Sequence, residues 1–216
     1  KEGLAKVLCY EIEIHTTRPA RWFVYINAIT GKVEFSENAL LHVNGTGATL
    51  YNGNKNIVIS KLSTNVYALV DSLRKIKTWN WNNGLDPSKA YLYGDPGTTF
   101  DSTIQKPGVS VHWAMGQTYD YFLNTHNRMS FDGAGAWIEN NVRYDVNLNN
   151  AFWDGSRMFY GKGDNSQFSD VVSIDVTGHE FSHAIIERTA GLRYRMESGA
   201  LNESYADIFG SCVEAY

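Results

Sequence analysis

Two histidines and one glutamate near the end of the chain place a strong constraint on its fold. His179 and His183 are four residues apart in the segment His-Glu-Phe-Ser-His, and Glu203 follows twenty residues after His183. Residues four apart share one face of an α-helix, so both imidazoles can reach a single ion. A ligand at Glu203 can join them only if its own segment packs against that helix. The pattern therefore predicts two neighbouring helices around a common site.

The flanking residues support both helices. Residues 171–189 carry apolar positions on each side of the histidines, and Gly191 follows as a stop signal. Glu203 and Asp207 lie one turn apart in the second segment, so one carboxylate can bind a metal while the other orients a ligand histidine. That second helical pattern runs from about residue 198 to residue 216, with apolar positions at Leu201, Tyr205, Ile208 and Cys212.

The three side chains suit a catalytic zinc ion, which takes three protein ligands and keeps a fourth position for water. Glu180 sits one residue round from His179, close enough to act as a base on that water. A short His-Glu-x-x-His match also arises by chance on the polar face of an ordinary helix. The apolar patterns of the two helices favour the metal site.

Motifs around this site make the chain similar to the thermolysin family of zinc metalloproteases, the neutral proteases or M4 peptidases. The resemblance is strongest over residues 108–216 and weaker before them. It implies an α+β fold, with the β-rich N-terminal lobe of a thermolysin-like protease followed by the zinc-binding helices. The motifs stand in family-like order and include Ser130-Phe131-Asp132-Gly133, Asn149-Asn150-Ala151-Phe152-Trp153, Thr189-Ala190-Gly191-Leu192, Glu197-Ser198-Gly199-Ala200 and Asn202-Glu203-Ser204.

The resemblance also implies roles for individual residues. His179, His183 and Glu203 would bind zinc, and Glu180 would be the general base of a metalloendopeptidase that cleaves peptide bonds with a zinc-activated water. A packing role for Tyr194 and an ordinary aromatic edge strand at 149–153 stay open as alternatives. The remaining implied roles are oxyanion stabilisation by Tyr194, support of the ligand histidines by Asp207 and Asn202, and substrate main-chain binding by Asn150, Ala151 and Trp153.

Calcium is a second metal that the resemblance implies. Family carboxylates at the positions of Asp175 and Glu214 help to hold a calcium pair, although calcium needs six to eight oxygen ligands. Charges that interact with helix ends are the alternative for both residues. The chain departs from the family at Gly178, where alanine is common. Glycine there costs up to about 1 kcal/mol of helix stability and leaves the ligands intact.

The first forty residues predict a separate, small antiparallel unit. Residues 8–14 and 22–26 alternate as strands with one buried face do, and Thr30-Gly31-Lys32 predicts a turn before a third strand at 33–35. Residues 22–33 resemble the end of the family's pro-segment, an inhibitor and folding helper. We therefore predict a pro-segment piece at 1–43 and the N-terminal part of the peptidase domain at 44–216. A hairpin of the mature domain is the alternative.

The middle of the chain predicts short strands followed by a helix. Asn52-Gly53 marks a hairpin turn between strands at 49–51 and 57–59. Residues 80–108 hold three of the four prolines, which predicts a surface loop. A helix is expected over 111–127. His112 and His126 near its ends are expected to be surface or capping groups and not metal ligands.

Composition narrows the choice of partners. The net charge is −4, with 19 basic and 23 acidic residues, so no nucleic-acid partner is expected. No apolar run is long enough for a membrane span, and no membrane partner is expected. Cys9 and Cys212 stand at opposite ends of the chain, which favours free thiols over a disulfide.

Two functions from different classes follow from these patterns. The first is a secreted, extracellular endopeptidase precursor that acts on peptide or protein substrates and is inhibited by its own pro-segment. The resemblance places a C-terminal helical domain after Tyr216, so the second hypothesis is an inert zinc-binding fragment that lacks this domain as a partner. A pure binding module is a third class, but it would leave Glu180 without a role.

Overall fold

Three sheets and three helices form the described residues 6–15, 21–38 and 41–216 of the computed structural model. This mixed α+β architecture confirms the predicted fold class. Its strands are, in chain order, β1 (Cys9–His15), β2 (Arg21–Asn27), β3 (Val33–Asn38), β4 (Leu41–Ala48), β5 (Asn54–Ser63), β6 (Val66–Ala68), β7 (Val70–Asp71), β8 (Ile76–Gly84), β9 (Tyr91–Leu92), β10 (Gly94–Asp95), β11 (Thr99–Phe100), β12 (Ile138–Tyr144), β13 (Ala151–Trp153) and β14 (Met158–Gly161). The helices are α1 (Lys106–His126), α2 (Ile174–Arg188) and α3 (Met196–Ala215).

The first sheet is the predicted antiparallel meander, in the order β1-β2-β3. Gly31 takes a φ of +70° in the turn before β3, a conformation that glycine adopts without steric cost. The predicted buried face is wrong, because Tyr10, Ile12 and Ile14 are 65, 43 and 42% exposed. Alternation in these strands therefore reports a sheet with an apolar face and does not by itself report burial.

The second sheet has the order β10-β6-β5-β4-β11. The Asn52-Gly53 turn joins β4 to β5, with the Thr49 N–H donating to the Gly53 carbonyl at 3.0 Å. The hairpin is confirmed, but the strand before it was placed too late. Residues 49–51 lie in the turn region, and β4 ends at Ala48.

The third sheet carries the edge that faces the candidate site. Its order is β13-β14-β12-β8-β7, with β8, β12 and β14 parallel to one another. Parallel strands need a crossover, and α1 lies in the connection between β8 and β12. Strand β13 pairs antiparallel with β14 only, so the predicted edge strand before the histidine helix is confirmed over residues 151–153.

The surface loop predicted over residues 80–108 is wrong for much of its length. Strand β8 continues to Gly84, and α1 already begins at Lys106. Tyr93 and Phe100 are buried within this stretch. Two of its prolines mark starts of helical turns, because Pro87 opens a 3-10 turn and Pro107 lies in the first turn of α1. A backbone N–H at these positions would have no partner within the helix, so proline, which lacks that group, loses no hydrogen bond there.

His112 is buried inside the molecule, which corrects the prediction of a surface or capping group. Its Nε2–H donates to the Val58 carbonyl at 2.8 Å, and the Thr78 hydroxyl donates to Nδ1 at 2.9 Å. Burial lowers the pKa of this imidazole, which stays neutral with both nitrogens bonded. These two hydrogen bonds of His112 therefore link α1 to β5 and β8. His126 is exposed and bonds to the Tyr121 hydroxyl at 3.2 Å.

Two glycines allow α2 and α3 to cross at close range. A Cβ on Gly178 of α2 would lie 3.1 Å from the Cα of Gly210 in α3. A Cβ on Gly210 would lie 2.7 Å from the Asp175 carbonyl and 3.3 Å from the His179 nitrogen. Gly178, noted above for its low helix propensity, thus occupies a crossing where a side chain has little space. The short separation brings Glu203 of α3 towards the histidines of α2.

We expect Gly210→Ala to destabilise the protein. The added methyl group forces the helices apart, and overpacking of this kind costs about 1–3 kcal/mol. That loss exceeds the gain of up to about 1 kcal/mol from replacing glycine by alanine in a helix. Urea unfolding measures the difference. Gly116→Ala in α1 is the matched control, because beyond its chain neighbours and the backbone of its own helix no atom lies within 4 Å of its new Cβ. Equal stability changes in the two variants would contradict the steric explanation.

Candidate active site

Helix α2 carries His179, Glu180 and His183, and local features define where this helix begins and ends. It begins after Ser173, whose backbone is extended, and it ends at Arg188. Gly191 follows with a φ of +59° and donates its N–H to the Ile186 carbonyl at 2.8 Å. This is the stop signal read from the sequence. Residues 189–195 then reverse the chain, so α3 returns along α2.

The two histidines and Glu203 converge at one point between the helices. The Nε2 atoms of His179 and His183 are 2.9 Å apart. The Glu203 carboxylate approaches them at 3.3 Å from His179 and 3.5 Å from His183. Among the described residues, they form the one group of three or more His, Cys, Asp or Glu side chains whose ligand atoms lie within 4.8 Å of one another.

The outer nitrogens of both rings are held by residues of α3. His179 Nδ1 lies 2.9 Å from an Asp207 carboxylate oxygen, and His183 Nδ1 lies 2.7 Å from Asn202 Oδ1. The Asn202 amide is oriented by its own Nδ2, which donates to the Leu192 carbonyl at 2.9 Å. Each Nδ1 is therefore placed to donate a proton to its partner on α3. In neutral rings of that tautomer, the inner Nε2 atoms present lone pairs that face each other and the Glu203 carboxylate.

Three acceptors without a donor repel one another, and a cation at their centre removes that repulsion. Tetrahedral zinc with bonds of 2.0–2.2 Å separates its ligand atoms by about 3.3–3.6 Å. The two separations to Glu203, 3.3 and 3.5 Å, fall in that range, and the 2.9 Å between the histidine nitrogens is slightly shorter. Two imidazoles and one carboxylate are also the ligand types of catalytic zinc. The residues present therefore fit the ion.

Glu180 is buried beside this cluster, with 5% of its surface exposed. One of its carboxylate oxygens has no hydrogen-bond partner, and the carboxylate accepts the backbone N–H of Trp153. Burial and the negative charge of Glu203 raise the pKa of Glu180 to about 8. A divalent cation at the cluster would offset the Glu203 charge and favour the carboxylate form. Glu180 therefore has the reactivity of a base poised near neutral pH.

A cleft of about 770 Å³ opens in front of the cluster. Strand β13 forms one wall and the connection between α2 and α3 forms the other, with Tyr194 at its rim. Tyr194 is 71% exposed, and its ring centroid lies 6.1 Å from that of His183. The structure thus brings together the sequence-predicted residues that line the cleft, which are His179, Glu180, His183, Glu203, Tyr194, Asn202, Asn150, Ala151 and Trp153. Asp207 lies behind His179.

The outer side of β13 offers backbone groups to the cleft. The Asn150 carbonyl accepts the Gly161 N–H at 2.9 Å, and the Asp154 N–H donates to Arg157 at 3.0 Å. Backbone groups alternate in direction along an antiparallel edge, so those of Ala151 and Trp153 point away from β14. The Trp153 N–H is used by Glu180. The N–H and carbonyl of Ala151 and the carbonyl of Trp153 are directed to the cleft side.

Asp175 and Glu214 stay apart from this cluster. Both side chains are exposed, Asp175 in the first turn of α2 and Glu214 near the end of α3. Neither belongs to the metal-like group found among the described residues. Calcium binding by these two carboxylates remains a prediction from the resemblance.

Glu187 is a cleft residue that the sequence interpretation missed. Its carboxylate accepts the indole N–H of Trp153 at 2.6 Å and so links α2 to the edge strand. A usable signal was present, because Glu187 follows His183 by four residues and shares its helix face. The Trp153 N–H bond to Glu180 was also missed. No sequence pattern reports a contact between a strand backbone and a helix side chain 27 residues later.

We expect Asp207→Ala to leave the fold intact and to weaken zinc binding about 10- to 100-fold, because it frees the outer nitrogen of His179. Competition with a chelator of known affinity measures this loss. Glu214→Ala is the control, since Glu214 is an exposed acid on the same helix and makes no hydrogen bond to a zinc-ligand side chain. Asp207→Asn keeps an acceptor and should lose less affinity than Asp207→Ala. Unchanged affinity in Asp207→Ala would contradict the supporting role.

The chain is similar to a metallopeptidase family over most of its length. Residues 44–187 match the family model described as thermolysin metallopeptidase, catalytic domain. Residues 190–216 match the alpha-helical domain of the same group, so the boundary between the two models falls between α2 and α3. Residues 1–37 match a peptidase propeptide and YPEB domain.

Individual relatives agree with these matches. The chain is 41% identical to a bacillolysin of Brevibacillus brevis, over 96% of this chain and 39% of the relative. It is 38% identical to an extracellular elastase of Staphylococcus epidermidis, over 99% of this chain and 44% of the relative. A solved structure, the precursor of the metalloproteinase protealysin from Serratia proteamaculans, aligns with a TM-score of 0.57 and 33% identity, over 64% of this chain and 42% of that one. The chain thus spans about two fifths of the length of these curated relatives.

Proposed function

Since the chain belongs to the thermolysin family of metallopeptidases, we propose that it supplies the zinc-binding part of an endopeptidase that hydrolyses peptide bonds. One observation carries the proposal. Two imidazole lone pairs and a carboxylate meet with no hydrogen-bond donor among them, beside a buried glutamate and an open strand edge. The first three groups suit a cation, and a buried base beside an open strand edge suits cleavage of a peptide bound at that edge.

In this proposal the ion is zinc, which when bound supplies Lewis acidity to the scissile carbonyl and lowers the pKa of water. Glu180 accepts the proton of the attacking water and delivers it to the leaving amine. The backbone N–H of Trp153 holds the carboxylate in orientation for both transfers. Glu180 lines the cleft, and one of its buried carboxylate oxygens has no hydrogen-bond partner, which leaves that oxygen free to bond to a water.

The substrate main chain would add to β13 as a further strand. The outward N–H and carbonyl of Ala151 can pair with a peptide backbone, as edge strands do in other peptide-binding proteins. The exposed side chain of Asn150 directly precedes them in the chain, and it can form a hydrogen bond to the peptide at the N-terminal end of β13. Tyr194 sits across the cleft, where its hydroxyl could donate to the developing oxyanion.

The family relationship supports two further proposals. Residues 1–37 match a propeptide model, so β1 to β3 would belong to an inhibitory pro-segment that is removed on maturation. Cleavage is proposed between Asn38 and Thr46, a window whose residues 39 and 40 lie outside the described residues. We also propose secretion, as the printed name of the Staphylococcus relative suggests for that protein. Among the described residues, no helix is both long and apolar enough to cross a membrane.

A peptide-cleavage assay with and without added zinc tests the proposal. We expect a polypeptide of these 216 residues to cleave blocked peptides only slowly, about 100- to 1,000-fold below a full-length family member. The reason is the open cleft, since Tyr194 is largely exposed and water can screen any charge that develops beside it. Cleavage should need zinc and stop with a chelator. Zinc binding without any zinc-dependent cleavage would instead favour the inert zinc-binding chain, and an absence of zinc binding would reject both.

A further inference from the structure

Asn149 and Asp164 form a reciprocal side-chain pair beside the peptide-binding edge. The Asn149 amide donates to an Asp164 carboxylate oxygen at 2.7 Å, and its own oxygen accepts the Asp164 backbone N–H at 2.8 Å. The two residues are 15 positions apart and lie on different sides of the β13–β14 hairpin. Neither residue bonds a zinc ligand or belongs to the metal-like cluster.

Backbone bonds fix the chain on each side of Asn149. The Leu148 carbonyl accepts the Gly163 N–H at 3.0 Å, and the Asn150 carbonyl accepts the Gly161 N–H at 2.9 Å. Gly161 can approach this closely only because it has no side chain, since a Cβ there would clash with the Leu148 carbonyl. Residues 148–150 are thus held against residues 161–164 by three consecutive contacts. The Asn149–Asp164 pair is the central one, directly before Asn150.

The other oxygen of Asp164 organises a turn that reaches the cleft. It accepts the backbone N–H groups of Ser166 and Gln167, each at 2.8 Å, and that of Phe168 at 3.3 Å. These bonds, with the one from Asn149, hold the pKa of Asp164 well below its usual range. Phe168 then lines a second cavity of about 550 Å³, which shares Asn150, Ala151, His179 and Glu180 with the main cleft. The Asp164 carboxylate therefore helps to position both Phe168, in the wall of the second cavity, and the residues that precede β13.

We propose that Asp164 is a positioning residue for peptide binding, which acts through Asn149 to hold the Asn150 side chain and the Ala151 backbone in place for the substrate. The inference rests on the proposed function of the cleft and adds a residue outside it. Its effect is on the peptide and not on the metal, because the pair reaches the edge strand and leaves His179, His183 and Glu203 untouched. A purely structural cap of the 164–168 turn is the competing explanation.

Exchange of the two side chains separates these explanations. In Asn149→Asp, two carboxylates face each other across a 2.7 Å contact, so the pair is broken. In the double variant Asn149→Asp with Asp164→Asn, the new aspartate accepts the side-chain and backbone N–H groups of residue 164. The new asparagine oxygen still accepts the N–H groups of the turn. All the bonds can be retained with the charge moved to the other residue.

Binding is measured with a blocked octapeptide with apolar central residues, in zinc-loaded protein that also carries Glu180→Gln. Turnover is suppressed in that background, so the dissociation constant does not depend on catalysis. We expect Asn149→Asp to weaken peptide binding about 10- to 100-fold, as a displaced binding group does. The double variant should return to within about twofold of the parent, and zinc affinity should not change. Asp132→Asn is the control, because Asp132 caps an exposed turn through Ala134 and Ala136 and does not line the cleft.

Several results would overturn the inference. They are unchanged peptide binding in a folded Asn149→Asp variant, a double variant that binds as weakly as the single one, and a parent that binds no peptide at all. If Asn149→Asp does not fold, Asp164→Asn replaces it, and the double variant must then bind more tightly than Asp164→Asn. Failure of the proposed function is a different result, in which the Glu180 form binds the peptide with this same pattern and does not cleave it.

Discussion

Glu180→Gln is expected to lower kcat for peptide cleavage by about 100- to 10,000-fold, the range that a positioned general base contributes. Glutamine matches the size of glutamate and can still accept the Trp153 N–H, so the buried position tolerates it. It cannot take a proton from water. It also removes a carboxylate whose charged form the bound cation would favour, so zinc affinity should be equal to or slightly lower than that of the parent. Initial rates with a fluorogenic peptide, together with metal analysis of the same sample, measure both quantities.

Glu187→Gln is the matched control for this experiment. It makes the same chemical change on the same helix, at a cleft residue that bonds the Trp153 indole and does not touch the histidine cluster. We expect a much smaller loss of kcat than in Glu180→Gln. Comparable kcat values for the parent and Glu180→Gln would show that another group takes the proton, and the assignment of the base would have to be withdrawn.

His183→Ala should have the largest effect on metal binding, exceeding the loss of about 10- to 100-fold expected for a supporting residue such as Asp207. A ligand that binds only the folded state stabilises it by about 2.7 kcal/mol when its concentration is 100 times its dissociation constant. We expect this gain in the urea unfolding of the parent at such a zinc concentration, and no gain in His183→Ala. Peptide cleavage should disappear with it.

His42→Ala serves as the control, because His42 is exposed on β4 and takes no part in the metal-like cluster. It should gain as much stability from zinc as the parent does. If zinc also stabilises His183→Ala by the parental amount, the ion binds elsewhere and the convergence of His179, His183 and Glu203 is not a metal site.

The sequence predicts the site better than it predicts the sheets around it. His179, His183, Glu203 and Asp207 stand on two helices at one-turn spacing, and helix periodicity determines which side chains share a face. The stop at Gly191 has a similarly local cause, since a positive φ favours glycine. Spacing alone therefore places these residues near each other once the two helices are packed.

Errors arose where the outcome depends on contacts between distant segments. His112 looks like a polar residue near a helix end, but Thr78 and Val58 satisfy both of its nitrogens in the interior. Residues 80–108 are rich in proline and glycine, yet Phe100, in a strand of two residues, and Tyr93, between two such strands, are buried in the core. The Asn149–Asp164 pair joins two polar segments that show no periodicity. Such pairings are set by tertiary structure, which a local pattern does not report.

The short crossing of α2 and α3 also limits how firmly α3 is held. Only small or slender side chains of α3 are buried, namely Gly199, Asn202, Ala206, Gly210 and Val213. Hydrophobic burial therefore holds this helix weakly, and without a cation the clustered acceptors push it outwards. Local opening of α3 would expose the 189–195 connection to proteolytic nicking, as low-stability segments are in other proteins. Metal binding would therefore stabilise the helix pair and protect the 189–195 connection from nicking.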